Sequence, residues 1–294
     1  MRGATPLIHN PASGGGRGTF RFRETEALLA ARGIDVDPMR TEAPGHAVDL
    51  GRELAEAGHE RILVLGGDGT LSEVANGVLA TDKQPELGFI PAGTGNDFLR
   101  DFEVTLRTQA VDHIQHGIAR PVDAIHVRGD DVDRWSINIF GTGFAALAGH
   151  AARRYKWAGS QAYNLGVLQE LARLRPTRTR LVLDGVEHEG DYPLVMVCNS
   201  IHTGGAMKMA PMARPDDGLA DVMFVDPLNR RELLALLAGI RQGRHVSHHK
   251  VHFERARTIR IEPERPSPLL CDGEVMGATP VDLALKPGAL RVLL

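Results

Sequence analysis

The chain has 294 residues, of which 43% are hydrophobic, and a formal net charge of −3. That is enough apolar matter for a sizeable core and enough length for two domains, which excludes wholesale disorder. The near balance of charge gives no electrostatic case for nucleic acid as a partner.

From the N-terminus, Pro6–His9 reads as a short strand, followed by a glycine-rich loop and a helix over Phe22–Arg32. Ile34–Arg40 is the next strand and His46–Gly58 the next helix; Arg61–Leu65 and Thr70–Ala80 repeat the pair, as do Leu87–Ile90 and Val104–Gly117. Strands separated by helices of this length imply a parallel sheet with right-handed crossovers. The texture changes near Arg120-Pro121. Beyond it come short apolar segments separated by turn residues, at Trp135–Phe140, Leu181–Leu183, Leu194–Cys198, Ala220–Val225 and Thr258–Ile261. Two helical patterns interrupt them, at Ala145–Leu174 and Arg230–Gln242. The expected domains are 1–120, α/β, and 121–286, β-rich.

Two cysteines, Cys198 and Cys271, lie far apart in apolar runs and make neither a disulfide framework nor a metal-ligand spacing. No leader-like segment and no apolar run near ~18 residues is present, so the expected location is the cytoplasm. Short amphipathic segments would escape that test, and transient peripheral contact with the inner face of the membrane stays open.

Three glycine-rich turns follow strands of the first domain: Asn10-Pro-Ala-Ser-Gly-Gly-Gly-Arg17-Gly18, Gly66-Gly-Asp-Gly-Thr70 and Pro91-Ala-Gly-Thr-Gly-Asn-Asp97. At the carboxyl ends of parallel strands such loops let backbone N–H groups approach an anion, and the helix that follows adds a favourable dipole. One such loop alone is as readily a tight turn. Three, carrying Ser13, Thr70, Thr94 and Asn96, with Gly93 at the third turn, point to a nucleotide. No Walker Gly-Lys-Ser/Thr follows and no clean G-x-G-x-x-G opens the chain, which disfavours a P-loop enzyme and a dinucleotide oxidoreductase. Asp68 stands among amides suited to phosphate, where a carboxylate repels the ligand unless a cation lies between; Mg²⁺ held through water resolves this. The plainer alternative is that Asp68 caps the helix after it.

These motifs, in order, resemble the diacylglycerol kinase catalytic domain family: Asn10-Pro-x-Ser-Gly, Gly66-Gly-Asp-Gly-Thr-Leu-x-Glu-Val and Pro91-x-Gly-Thr-Gly-Asn-Asp-Phe. The resemblance runs on through Asn138-Ile-Phe-Gly-Thr-Gly-Phe144, Gly204-Gly-Ala-Met-x-Met-Ala-Pro211, Asp216-Asp-Gly-Leu219 and Cys271-Asp-Gly-Glu274. It implies ATP-dependent phosphorylation of a lipid hydroxyl, such as that of diacylglycerol. It implies an N-terminal α/β domain, a C-terminal β-sandwich whose last residues, about 287–294, return to the first domain, an active site in the interdomain cleft, and a homodimer. The family's nucleotide positions fall on Asn10, Pro11, Ala12, Ser13 and Gly14, on Thr41, on Gly66, Gly67, Asp68, Gly69, Thr70, Leu71 and Ser72, and on Thr94. Asp272 and Glu274 fall on the positions that supply the base, Asp272 being the preferred one. Asp123 matches an aspartate joined to the Asp68–Mg²⁺ network. A second, structural metal falls on Asp217 with the carbonyls of Arg214 and Leu219.

This chain departs from the family's pattern in three places. Ser72 replaces a frequent Asn, Ala145 a frequent Asp, and Gly15 stands where some bacterial members have Lys, leaving Arg17 to supply that positive charge. Two other readings stand beside the lipid kinase. An NAD kinase shares Gly-Gly-Asp-Gly-Thr, but its Thr-Pro-Thr-Gly-Ser-Thr-Ala-Tyr-like segment is absent here; the other is a nucleotide-binding regulatory module that has lost catalysis. His245, His248, His249 and His252 read as a solvated loop, since no His-Glu-x-x-His pattern is completed. Arg153-Arg154-Tyr155-Lys156-Trp157 reads as a helix face, or as a patch for anionic lipid headgroups.

Overall fold

In the computed structural model, residues 4–152, 154–155, 165–167, 169–170 and 176–294 are described. They form two compact units. One comprises Met1–Ala124, Gly204–Ala206 and Pro287–Leu294; the other comprises Ile125–Thr203 and Met207–Lys286.

The first unit is built on strands β1 (Thr5–His9), β2 (Val36–Arg40), β3 (Arg61–Gly66) and β4 (Glu86–Pro91), in the order β2-β1-β3-β4. Every neighbouring pair is parallel, and near the C-terminus Arg291 and Val292 run parallel to Glu86 and Leu87. Ile62 to Leu65 are fully buried, as expected of a central parallel strand covered on both faces. The helices are α1 (Gly18–Ala30), α2 (His46–Glu56), α3 (Asp68–Leu79), α4 (Asp97–Arg100) and α5 (Arg107–His116). Two of them begin earlier than their apolar pattern. The first turns of α1 and α3 are Gly18-Thr-Phe and Asp68-Gly-Thr, which carry no hydrophobic period to read, although Asp at a helix start suits the dipole. The short α4 is added by packing: Phe98 stands edge-on to Phe89 with ring centroids 5.6 Å apart.

The second unit is a β-sandwich. After β5 (Ala119–Gly129) and β6 (Val132–Ser136) come β7 (Ile139–Gly143), α6 (Phe144–Ala152), β8 (Thr177–Leu183), β9 (Val186–Tyr192) and β10 (Leu194–Cys198). Then follow β11 (His202–Thr203), β12 (Met207–Lys208), β13 (Ala220–Val225), α7 (Arg230–Gly239), β14 (Val251–Ala256), β15 (Thr258–Pro263), β16 (Pro268–Cys271), β17 (Glu274–Ala278) and β18 (Val281–Leu293). One sheet has the order β14-β13-β10-β7-β16-β17; within the second unit the other joins β18 to β15, β8 and β9, and pairs β5 with β6. The core between them includes Phe140, Val195, Val222, Leu181, Ile259 and Leu283. The outer face of the first sheet is covered by apolar side chains of α6 and α7, including Phe144 and Leu233. A capping box starts α7: Asn229 Oδ1 accepts the N–H groups of Arg231 and Glu232, and Glu232 accepts that of Asn229.

Two of the four histidines correct the expectation of a solvated loop, while His249 is exposed in a turn. His245 is buried, its Nε2 2.8 Å from the Met209 carbonyl, and His252 lies on β14 with its Nε2 2.8 Å from Asp226 Oδ2. Burial pushes the His245 pKa below the ordinary imidazole value. Arg153, Lys156 and Trp157 of the basic-aromatic segment lie outside the described residues. Among the described residues, no helix is long and apolar enough to cross a membrane.

Candidate functional site

In the first unit the three glycine loops leave the carboxyl ends of β1, β3 and β4, and hydrogen bonds tie them together. The Asn10 side chain donates to Thr70 Oγ1 at 3.0 Å and accepts the Ala12 N–H at 2.9 Å, joining the first loop to the second. The Ala92 N–H donates to the Gly66 carbonyl at 2.7 Å, joining the second to the third. Gly67 and Gly93 pass in contact: a Cβ on Gly93 would lie 2.5 Å from the Gly67 Cα, so no side chain fits at either residue. Asn96 closes the third loop by accepting the Gly93 N–H at 2.9 Å.

The first loop has the character of an anion cradle. Gly14, Gly15 and Gly16 have φ of 60°, 72° and 86°, a run of left-handed backbone that glycine takes freely, and the Gly16 N–H turns back to the Ala12 carbonyl at 3.2 Å. Beside them Ser13 is 9% exposed and its Oγ has no hydrogen-bond partner among the described residues. A buried hydroxyl without a partner costs roughly 1–3 kcal/mol, which a phosphate oxygen would recover. Arg17 is exposed, with Nε 3.4 Å from the Gly14 carbonyl. Pro11 and Ala12 form the loop's outer edge. Thr41 is buried after β2, its N–H bonded to the His9 carbonyl, while Gly69, in the first turn of α3, and Thr94, in the third loop, are exposed. Leu71 and Ser72 are buried in α3, and the Leu71 N–H already donates to the Gly67 carbonyl at 3.1 Å.

The sequence reading passed over two residues here. Arg21, one turn after Arg17 on α1, donates to the carbonyls of Ala92 and Gly93 and so clamps the third loop. Its pKa is pressed below the ordinary arginine value by burial and by the charges of Arg17 and Arg107. Glu24 offsets part of this repulsion, its Oε2 pairing with Arg107 Nη2 at 2.6 Å. Arg21 and Arg107 also line a cavity of about 300 Å³ with Gly93, Asn96 and Thr105. The second residue is Asp97, 4% exposed, whose carboxylate accepts the Gly205 N–H at 2.7 Å and the Ala206 N–H at 2.8 Å. The i, i+4 spacing of Arg17 and Arg21 was visible in the sequence; nothing local announced that Asp97 would hold a turn more than 100 residues later.

The fit of Mg²⁺ at Asp68 rests on a pair of carboxylates. A Cβ on Gly95 would meet Asp68 Oδ2 at 3.1 Å and Asp97 Oδ2 at 3.3 Å, so both acids face the space that Gly95 leaves free. Burial, and after it the charge of Asp97, pushes the Asp68 pKa up, although the Phe98 N–H donates to Asp68 Oδ1 at 3.2 Å. Asp97 is itself held by the Gly205 and Ala206 N–H groups, with Arg100 Nε 3.8 Å from its Oδ1, so of the two acids it is Asp68 whose Oδ2 is left facing the open space where a hard divalent cation would fit. Asp123 is buried, with Oδ1 accepting the Gly288 N–H at 2.7 Å.

In the second unit, Asp272 and Gly273 are the two central residues of the β16–β17 hairpin, with φ of 47° and 88°. This is the Asp-Gly turn that favours left-handed backbone at both positions. The Asp272 carboxylate is enclosed by donors: Oδ1 accepts Ser136 Oγ at 2.7 Å and the N–H groups of Asn138 and Ile139 at 3.0 and 3.1 Å, and Oδ2 accepts the Ile137 N–H at 3.0 Å. Glu274 is different. Its side chain is 46% exposed, and Arg134 Nη2 reaches its Oε2 at 2.9 Å. Ala145, where an aspartate is frequent in the family, is buried against the outer face of the sheet.

The residues expected to hold a structural metal do not fit one. Asp217 Oδ2 is paired with the Arg255 guanidinium, and Asp217 Oδ1 accepts the Leu219 N–H at 3.2 Å. The Gly218 carbonyl between them accepts Arg257 Nε at 3.1 Å, and Arg214 is exposed at the start of the turn.

Comparison with known proteins follows the same division. Residues 5–127 match the family model described as the diacylglycerol kinase catalytic domain, and residues 138–294 match the YegS C-terminal NAD kinase beta sandwich-like domain. A relative named diacylglycerol kinase from Mycobacterium tuberculosis is 33% identical, covering 99% of this chain and 95% of its own. Another from Bacillus subtilis is 31% identical, covering 93% and 90%. Among solved structures, a putative diacylglycerol kinase from Bacillus anthracis aligns with a TM-score of 0.85 at 26% identity, covering 99% and 94%. An NAD kinase from Archaeoglobus fulgidus in complex with ATP aligns with a TM-score of 0.52 at 13% identity, covering 99% and 92%, a likeness of fold alone.

Proposed function

Since the chain belongs to the diacylglycerol kinase catalytic domain family, we propose that it is an ATP- and Mg²⁺-dependent kinase that phosphorylates the hydroxyl of a lipid such as diacylglycerol. The observation that carries this is the cross-tied set of three glycine loops at strand carboxyl ends, with the unpartnered Ser13 hydroxyl beside the Gly14–Gly16 cradle. That arrangement suits a polyphosphate, and the Arg17–Arg21–Arg107 cluster supplies the positive charge that a lysine gives elsewhere. Asp68, with Asp97 opposite, would hold Mg²⁺, which neutralises phosphate charge during transfer.

The acceptor half of the reaction is assigned to the Asp-Gly-Glu turn. A neutral alcohol must lose its proton as its oxygen bonds to the γ-phosphorus and the bond to the bridging oxygen of ADP breaks. We assign the proton to Glu274 rather than to the sequence-preferred Asp272. Three of the four donors on Asp272 converge on one oxygen and the fourth holds the other, so this carboxylate is occupied in fixing residues 136–139. Glu274 is exposed and held from one side by Arg134, leaving an oxygen free to take a proton.

The test is purified protein with labelled ATP and a panel of diacylglycerol, phosphatidylglycerol, a sphingoid base and NAD. Mg²⁺-dependent label in a lipid is expected. Label in NAD with none in any lipid overturns the reading, and no transfer to any acceptor favours the regulatory module. Membrane contact is proposed only as the transient encounter such a substrate demands, and vesicle sedimentation measures it directly.

A further inference from the structure

The turn that the family likeness assigns to a structural cation is already neutralised from within. We infer that the guanidinium of Arg255 takes the place of that cation, so that the Pro215–Leu219 turn closes without a divalent ion. Both oxygens of Asp217 are engaged by protein donors, Oδ2 by Arg255 and Oδ1 by the Leu219 N–H at 3.2 Å. Arg257 takes the Gly218 carbonyl at 3.1 Å, so a turn carbonyl is engaged as well.

The placement of Arg255 follows from strand register. On β14 it stands directly opposite Asp221 of the antiparallel strand β13, and Asp221 is 1% exposed. Arg255 is therefore the positive neighbour of two carboxylates, Asp217 by ion pair and Asp221 across the ladder, which is the electrostatic task of a divalent ion. An incoming cation would meet a fixed positive charge, and it would have to displace hydrogen bonds on both Asp217 oxygens. The Arg255 side chain is 47% exposed, so shortening it opens the turn to solvent without emptying a core.

Thermal melts of the full chain test this without reference to catalysis. They would compare wild type, Asp217→Asn, Arg255→Gln and Arg255→Lys, each in EDTA and over a titration of MgCl₂ and of CaCl₂. Any cation effect that survives Asp217→Asn belongs elsewhere and is subtracted. Wild type is expected to have no Asp217-dependent response. Arg255→Gln is expected to melt lower in EDTA and to regain stability saturably with Mg²⁺ or Ca²⁺, a gain lost in the Asp217→Asn double variant. Arg255→Lys, which keeps a positive charge, should behave as wild type. A saturable rise in wild type that Asp217→Asn removes overturns the inference. So does an Arg255→Gln protein that ignores both cations. If Arg255→Gln does not fold in EDTA, refolding in the presence of either cation supports the inference and failure to refold counts against it.

Discussion

Asp272→Asn and Glu274→Gln separate the two carboxylates of the hairpin. The Asp272 carboxylate accepts four hydrogen bonds, three of them from successive backbone N–H groups of residues 137–139. Hydrogen bonds to a charged group contribute roughly 1.5–3 kcal/mol each, and a donor left without a partner in a buried place costs roughly 1–3 kcal/mol. Asparagine keeps one acceptor oxygen but sets its NH₂ against a backbone donor, losing one bond outright and weakening three. Because the turn is partly exposed, the loss to expect is about 2–4 kcal/mol, or a fall in Tm of ~4–16 °C for a unit of this size. Positive φ adds nothing to this, since asparagine tolerates the left-handed region. Glu274→Gln breaks one half-exposed ion pair and should move Tm by less than ~1 kcal/mol equivalent, while lowering kcat by ~10²-fold or more as the proton acceptor is lost. Differential scanning fluorimetry and an ADP-release assay on the same preparations read both effects. An Asp272→Asn protein as stable as wild type but inactive, beside an active Glu274→Gln protein, would return the base to Asp272 and refute the geometric argument.

Three further outcomes follow from particular contacts. Arg21→Ala removes the clamp on Ala92 and Gly93 together with one charge of the cluster, so KM for ATP should rise ~10-fold or more while KM for the lipid stays constant; steady-state kinetics with each substrate varied decides it. Burial raises the Asp68 pKa, and only its ionised form can hold a cation, so the Mg²⁺ concentration needed for half-maximal activity should rise as pH falls, read from MgCl₂ titrations at several pH values. A Mg²⁺ requirement that is the same in Asp68→Asn would exclude Asp68 as that group. Burial pushes Asp221 up to about 6, so the native state holds a proton that the unfolded chain has released; the resulting cost of order 3 kcal/mol appears as pH rises from about 4 to 6 and persists above. Asp221→Asn should therefore raise Tm at pH 8 more than at pH 4, and an equal effect at both would place the charge elsewhere.

Much of the first unit was legible in the sequence because its strands are apolar on both faces and its loops are punctuated by glycine. Ile62–Leu65 announces a buried parallel strand, and the following Gly66-Gly67 announces the turn. What escaped was the part set by tertiary context. The four-residue helix Asp97–Arg100 is too short to show a period, and Phe98 is buried there against Phe89. In the second unit short strands gave only their apolar cores: the segment Trp135–Phe140 reads as one strand, yet it spans the end of β6 at Ser136 and the start of β7 at Ile139. The histidines near 250 misled for the opposite reason. Polarity suggested solvent, but His245 turns inward to the Met209 carbonyl and His252 pairs with Asp226.

The candidate site divides along the same line. Residues whose work is done by backbone or local turn chemistry were readable: the Gly14–Gly16 run, Gly67 and the Asp272-Gly273 hairpin each carry their geometry in their residue types. Residues whose work depends on a distant partner were not. Asp97 reads as the end of a glycine loop, yet it binds the N–H groups of Gly205 and Ala206; the left-handed Ala206, at φ 77°, is a conformation that an alanine takes only when something holds it. Asp217 reads from its residues as part of an ordinary Asp-Asp-Gly turn, and only the family resemblance makes it a metal ligand; its partner Arg255 arrives from a strand that the sequence does not tie to it. The roles of Asp272 and Glu274 turn on the same point. Residue type makes both candidates for a base, and it is the donors on Ser136 to Ile139 that engage one of them, while the other stands half-exposed beside Arg134.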